Sequence, residues 1–250
     1  MFQILIPLAG GNAFFSDHAE YQFPKPLIEI NGQPMIQRVF ENLQTIERKE
    51  VKYIFILREE DCVRFHLDQT ITILSDGKAS IVRLKEQTKG AVCSCLMAVD
   101  ELDLNSPLLI TNGDQIVDIE LEAAIKFFEE RSLDGGVITF ESVHPKWSFA
   151  RFEKDLVVET AEKRPISKNA IAGVYYFRKA IDFVNGSFEV IKKNINVNDL
   201  FFISSTVNEL ILVNKKVGYY SIPNEHYHSF YSPQKIKEFE NIISKRNGTF

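Results

Sequence analysis

The amino-acid order predicts an α/β fold, a single domain with a mixed, mostly parallel central sheet flanked by helices. Three observations carry this expectation. Short runs rich in β-branched and aromatic residues alternate with segments whose apolar residues recur at helical spacing. The 250 residues, 45% of them hydrophobic, suffice for one sizeable core. No internal repeat, low-complexity tract or Pro/Gly/Ser-rich linker divides them.

Taken in order, FQILIPLA (2–9) is expected as a strand, PMIQRVFENLQTI (34–46) as a helix with Pro34 in its first turn, VKYIFILR (51–58) as a strand and EEDCVRFHLDQ (59–69) as a helix. ASIVRLKEQ (79–87) is a further strand, GAVCSCLMAVDEL (90–102) a helix, and PLLITNGD (107–114) a strand ending in a polar turn. LEAAIKFFEERS (121–132) is helical and GGVITFES (135–142) is again a strand. Beyond about residue 141 the texture changes. SFARFEKDLVVETAEK (148–163) alternates as an antiparallel excursion does, AIAGVYYF (170–177) suits a buried strand, and SPQKIKEFENIISK (232–245) suits a terminal amphipathic helix.

Composition excludes several function classes. With 29 Lys+Arg against 34 Asp+Glu the net charge is −5, and no basic run suggests a nucleic-acid partner. Nothing approaches the ~18 apolar residues of a membrane span, and MFQILIPLAGG lacks the basic and long apolar regions of a signal peptide. The expectation is a soluble cytoplasmic protein without membrane insertion. Cys62, Cys93 and Cys95 make neither a disulfide framework nor a CxxC pair, and CSC suits a buried helix. His226 and His228 suit a loop better than a zinc pair.

Three short stretches point to phosphate chemistry. Gly10 and Gly11 follow the first strand, where bare backbone N–H groups can approach a phosphate. They form neither a GxGxxG fingerprint nor a P-loop, and an ordinary strand-to-loop turn stays open as a reading. Lys25 stands between Pro24 and Pro26, which stiffen the segment and present a point charge suited to a triphosphate; a solvated surface lysine is the alternative. Asp114, at the end of a central apolar strand, suits Mg2+, although Asn112-Gly113 also carries the signal of a two-residue hairpin.

Together these stretches resemble the sugar nucleotidyltransferases, the NDP-sugar pyrophosphorylases. PLAGG and FPKPLIEINGQPMIQRVFENL are similar to that family's nucleotide loop, phosphate-binding lysine and following helix, KEQTKGAVCSCLMA to its base-side loop, and ITNGDQ to its metal-binding turn. AEKRPISKNAIAGVYYF resembles its sugar-site strand, YHSFYSPQKIKEFE its closing segment, and FESVHPKWSFARF the subgroup found among capsule and lipopolysaccharide genes. The resemblance implies a Rossmann-like, GT-A-like domain with a nucleotide half (1–115) and a sugar half (116–250). It implies transfer of a nucleoside monophosphate from an NTP to a sugar 1-phosphate, with Mg2+ as cofactor. Lys25 and Asp114 are the implied catalytic residues, Asp114 also the metal ligand. Ala9, Gly10, Gly11, Gln87 and Gly90 are the implied nucleotide contacts, and Glu162, Lys163 and Gly173 the implied sugar contacts, with Trp147 bordering the sugar pocket or packing in the core. The oligomeric state stays open, a homo-oligomer included.

The chain departs from the family pattern at charged positions. Phe14 stands where the family places an arginine, Ser229 where it places a second metal aspartate, Tyr231 where it places a glycine, and Leu200, beside Asp199, where it places a sugar-binding glutamate. Two readings follow: an enzyme in which neighbours such as His18, Lys89, Asp199 or His228 replace the missing groups, or an impaired relative that binds nucleotides or serves as a partner subunit. A glycosyltransferase of related architecture would need Asp-x-Asp, and Asp114 is followed by Gln115 and Ile116.

Overall fold

The computed structural model describes residues 1–11, 15 and 22–247. The chain opens with β1 (Phe2–Pro7), and a short ladder of β2 (Glu29–Ile30) and β3 (Gln33–Pro34) leads into α1 (Met35–Leu43). Next come β4 (Val51–Arg58), α2 (Glu59–Phe65), α3 (Leu67–Leu74), β5 (Ser80–Leu84) and α4 (Ala91–Leu96). β6 (Leu108–Thr111), β7 (Gln115–Val117), α5 (Leu121–Glu130), β8 (Gly135–Glu141), β9 (Ser148–Glu153), β10 (Leu156–Glu162) and β11 (Asn169–Phe177) follow. The last elements are α6 (Ala180–Lys192), α7 (Ile203–Leu212), β12 (Val217–Ser221), β13 (Tyr227–Ser229) and α8 (Pro233–Asn247).

Among the described residues, nine strands share one sheet. β5, β4, β1 and β6 lie side by side and parallel. β11 joins β6 antiparallel and has β8 and β9 as further antiparallel neighbours, while β12 adds parallel to β8 and β10 antiparallel to β9. Only β10 and β11 therefore run against the other seven strands, which is the mixed, mostly parallel sheet expected. Alternate residues face opposite layers. Ile4, Ile6, Phe55 and Leu57 pack with α1, α5 and α8, and Leu5, Ile54 and Ile56 with α4, α6 and α7. Both faces are covered, which is why these strands are nearly continuous apolar runs. No helix among the described residues is long and apolar enough to cross a membrane.

Three local expectations are corrected, and one alternative reading is not met. Residues 59–69 are not one helix, because His66 takes a left-handed conformation (φ 55°) that ends α2 and starts α3. α3 includes the strand-favouring run Thr70–Ile73, held helical by Leu67 and Ile71, buried four residues apart. α4 stops at Leu96, and a separate 3-10 turn covers Val99–Glu101. Asn112-Gly113 closes no hairpin: β7 pairs with β13 and not with β6. Residues 178–231, to which periodicity assigned no element, supply α6, α7, β12 and β13.

β11 carries an irregularity between Ile171 and Tyr175, where Gly173 adopts φ +62°. The Gly173 carbonyl accepts the Asn112 N–H at 3.1 Å. A Cβ at 173 would lie 2.7 Å from Gln115 Oε1 and 2.8 Å from Asn112 Cγ. Gly173→Ala is expected to cost roughly 2–4 kcal/mol, from left-handed strain and overpacking together. Gly11→Ala, with nothing among the described residues within 4 Å of the new methyl, is expected to stay within about 0.5 kcal/mol of wild type. Urea unfolding of both variants, with unchanged m-values, checks the contrast.

Candidate functional site

β1 and β6 bring their carboxyl ends side by side, the place where open α/β sheets collect ligands. Gly113 lets the two ends close up: a Cβ there would sit 2.8 Å from Leu8 Cγ and 3.1 Å from Ile6 Cγ2. Beside them lies a cleft of ≈ 190 Å³ lined by Gly10, Gly11, Lys25, Pro26, Asn112 and Asp114, among others. Pro24, extended at φ −62°, feeds a 3-10 turn over Lys25–Leu27 with Pro26 buried, so the lysine leaves a stiff backbone. Its ammonium is paired with the Asp114 carboxylate, and both groups remain partly exposed to the cleft. Phe15 is buried beneath, its ring centre 5.8 Å from Lys25 Nζ. Of the two phenylalanines that follow the glycines, Phe15 is therefore a core residue; Phe14 and His18 lie outside the described residues.

A second cleft of ≈ 270 Å³ shares Asn112 with the first and is lined by Lys146, Trp147, Glu162, Gly173, Phe202 and Tyr227, among others. Gln115 ties its floor together. Gln115 Nε2 donates to the Ala172 carbonyl at 2.6 Å, and its Oε1 accepts from Asn112 Nδ2 at 3.3 Å and from the Tyr227 hydroxyl at 3.1 Å. Burial pushes the Tyr227 phenol well up, with the Asp114 charge adding to it, so the hydroxyl stays a donor. Glu162 ends β10 and its Oε2 accepts from Ser148 and, at 2.8 Å, from Ser204. Burial raises the Glu162 carboxyl above its ordinary value, while the two seryl hydrogen bonds and the nearby Lys163 pull it back.

The remaining sequence-selected residues lie outside these two linings. Ala9 is half-buried against the core on the α4 side, and Gln87 is exposed on the loop after β5. Gly90 (φ +96°) starts α4 with its backbone so close to Phe201 that a Cβ would meet Phe201 N at 2.7 Å. Lys163 is exposed at φ +53°, its ammonium 4.9 Å over the Phe202 ring. Asp199 (φ +61°) is exposed on a turn, with Leu200 bridged to Val197. Ser229 sits on β13 opposite Gln115 and lines a third cleft of ≈ 240 Å³. The next residue donates its N–H to the Asp114 carbonyl at 2.8 Å. Asn112, Tyr227, Lys146, Ser148 and Ser204 were not singled out for the site from sequence; the one signal for them was Trp147, placed beside the sugar pocket by its neighbourhood in HPKWSF.

Asp114 is the one carboxylate among the described residues that line the first cleft, and no group of three or more His, Cys, Asp or Glu gathers among the described residues. Mg2+ is content with one or two carboxylates when phosphate oxygens and water complete its octahedron. The donor set fits a cation that arrives with a nucleotide, not a resident all-protein site.

Comparison with known proteins supplies the frame. The family model of the nucleotidyl transferases matches residues 20–201. The nucleoside-diphosphate-sugar pyrophosphorylase from Vibrio cholerae RC9 superposes with TM-score 0.82 at 22% identity, over 95% of this chain and 99% of that one. The inositol-1-phosphate CTP transferase from T. maritima gives 0.76 at 12%, over 100% and 97%. A UDP-glucose pyrophosphorylase complexed with UDP-glucose gives 0.74 at 17%, over 98% and 99%. At these identities the likeness is one of fold. A search of curated proteins found no match.

The raised Glu162 carboxyl has a pH consequence. Between its ordinary value of 4.5 and its raised folded value, the folded protein binds the proton more tightly than the unfolded chain. Stability from this group is therefore present below 4.5 and lost as pH rises through the folded value. Glu162→Gln, which keeps an acceptor for both serines, is expected to remove that loss, so the stability difference between variant and wild type grows in the variant's favour across this window. Thermal melts of both proteins at several pH values measure it.

Proposed function

This chain belongs to the nucleotidyl transferase family, and from that premise we propose that it transfers a nucleoside monophosphate from an NTP to a sugar 1-phosphate or similar phosphorylated acceptor, releasing pyrophosphate. The observation that carries this reading is the pair of clefts meeting at Asn112, one holding Lys25 and Asp114, the other Glu162 and Gly173. A triphosphate in the first and a sugar phosphate in the second would meet at the shared residue.

An oxygen of the acceptor phosphate attacks the α-phosphorus in line; the new P–O bond forms as the α,β-anhydride breaks, and its electron pair leaves on pyrophosphate. Lys25 faces that departing charge from its stiff turn, and the exposed backbone of Gly10 and Gly11 leaves room for the phosphates. Glu162 accepts hydrogen bonds from sugar hydroxyls; the room left by Gly173 is taken by Asn112 and Gln115, so this glycine shapes the floor under the sugar and does not itself make space for the ring. Asp114 would hold Mg2+ where the cation arrives with the nucleotide, and the ion would supply positive charge beside the reacting phosphates. The resemblance carried by FESVHPKWSFARF supports a product destined for capsule or lipopolysaccharide synthesis.

The Lys25–Asp114 pair couples nucleotide to cation. A nucleotide alone would draw Lys25 away and leave the Asp114 carboxylate facing phosphate, a like-charge contact. Nucleotide and Mg2+ together give both side chains new partners. The competing reading, a binding protein without turnover, rests on Asp114 standing alone as a carboxylate in this lining.

Ligand-observed NMR with ATP, CTP, GTP, UTP and dTTP, with and without Mg2+, is the test. One base-selective NTP is expected to bind, more tightly with Mg2+, and Lys25→Ala or Asp114→Ala to weaken it at least about tenfold. Pyrophosphate release is expected to fall ~10²–10³-fold in Lys25→Ala. Binding indifferent to both substitutions, or no binding at all, would sink the proposal; binding without pyrophosphate release from any acceptor favours the non-catalytic reading.

A further inference from the structure

The acceptor cleft contains a cation that its neighbours leave without a countercharge. Lys146 lies in the turn between β8 and β9, half-buried, and lines both the acceptor cleft and the third cleft beside it. Its ammonium donates to the Tyr231 hydroxyl at 2.6 Å and sits 3.9 Å from the Tyr231 ring centre and 4.5 Å from that of Trp147. Among the described residues no carboxylate lies within ion-pair distance of it. The nearby acids of the third cleft are otherwise engaged, Glu238 with Lys235 and Glu141 with Lys168 at 3.8 Å. Lys163, by contrast, is exposed over Phe202, outside the lining.

The position of this cation matters as much as its charge. The boundary between the acceptor and phosphate-side clefts is Asn112, where the reacting phosphate belongs. Lys146 lies at the other boundary, shared with the third cleft. Between the two stand Gln115, Tyr227 and Trp147, linked by the Asn112–Gln115 and Gln115–Tyr227 hydrogen bonds and by a Tyr227–Trp147 ring contact of 5.5 Å. The aromatic flank holds the ammonium in place and shields it from bulk solvent, where a charge-assisted hydrogen bond to an anion counts for more than in water.

Resting on the reading of the two clefts above, we infer that Lys146 and the Tyr231 hydroxyl form an anion-accepting end of the acceptor cleft, so that the acceptor is a sugar phosphate bearing a second acidic group, carboxylate or phosphate, away from the phosphate that reacts. Lys146 is then the specificity-determining residue of the acceptor side.

Trp147 is the chain's one tryptophan and touches the group in question, so its fluorescence reports on this cleft without background. Glucose 1-phosphate, glucose 1,6-bisphosphate and glucuronic acid 1-phosphate are titrated into the full chain, into Lys146→Met, which keeps the apolar stem, and into Lys146→Arg. The two doubly acidic compounds are expected to bind at least about tenfold more tightly than glucose 1-phosphate. Lys146→Met removes that preference and Lys146→Arg restores much of it. Four results overturn the inference: equal affinities in wild type; a preference that survives Lys146→Met; equal weakening of all three compounds by Lys146→Met, which would assign the lysine to the reacting phosphate; or no response to any of them at millimolar concentration. Nucleotide binding at Lys25 and Asp114 is a separate readout, so failure of the two-cleft reading and failure of this inference show independently.

Discussion

The left-handed backbone of Gly173 decides where the rest of the site goes. β11 runs antiparallel to β6, with Val174 opposite Thr111, so its irregularity falls beside the carboxyl end of the strand that carries Asp114. With no Cβ at 173, the Asn112 side chain and Gln115 move against the strand, and the Asn112 N–H finds the Gly173 carbonyl. That contact turns the chain out of β6 and sends it into β7, which takes β13 as its partner. Asp114 is fixed at the turn, its carbonyl bonded to the Phe230 N–H, and Tyr227 is brought under Gln115. One glycine inside a strand, a position that ordinarily weakens a sheet, is what lets two clefts meet at one asparagine.

The charged groups around that junction are each held by the protein before any ligand arrives. Lys25 and Asp114 hold each other, Glu162 is held by Ser148 and Ser204, and Lys146 by Tyr231. Such partners fix side-chain geometry in advance, and electrostatic stabilisation of a developing charge then needs little reorganisation. The partners also differ in what a ligand must displace. Lys25 and Asp114 lose an ion pair and need two replacements, whereas Lys146 has an acceptor hydroxyl and two ring faces and can add an anion without surrendering them.

The cleft of Lys25 and Asp114 was legible in the sequence because its residues are local. A double glycine after an apolar run, a lysine between prolines and an aspartate after a strand are each complete within a few residues, and the alternation of strand and helix patterns supplied the sheet that brings them together. The second cleft was not, because it is assembled from distant parts of the chain. Tyr227 reaches Gln115 across 112 positions and Lys146 reaches Tyr231 across 85. The same distance explains the Asn112-Gly113 reading: the dipeptide carries hairpin propensity, but the partner strand that wins lies more than a hundred residues on. α3 extends past the helix expected over 59–69 for the complementary reason. Its β-branched run prefers a strand locally, and burial of Leu67 and Ile71 overrules it.

This division between local and distant construction separates what the two sides can change. The cleft of Lys25 and Asp114 rests on a stiff turn and on strand ends packed as closely as Gly113 against Leu8, so substitution of Gly113 disturbs the fold itself. The part of the second cleft that carries Ser148, Glu162 and Tyr227 is made of side chains at the ends of β9, β10 and β13, and the pairing of the sheet does not depend on their chemistry. Ser229 and Tyr231 illustrate the difference. The backbone here keeps its pairing with Gln115 and Asp114, while both side chains line the third cleft, Tyr231 as the partner of Lys146. The charge that the family resemblance leads one to expect at 229 is replaced on the side of the molecule that can vary, and the Lys25–Asp114 pair across the junction stands without it.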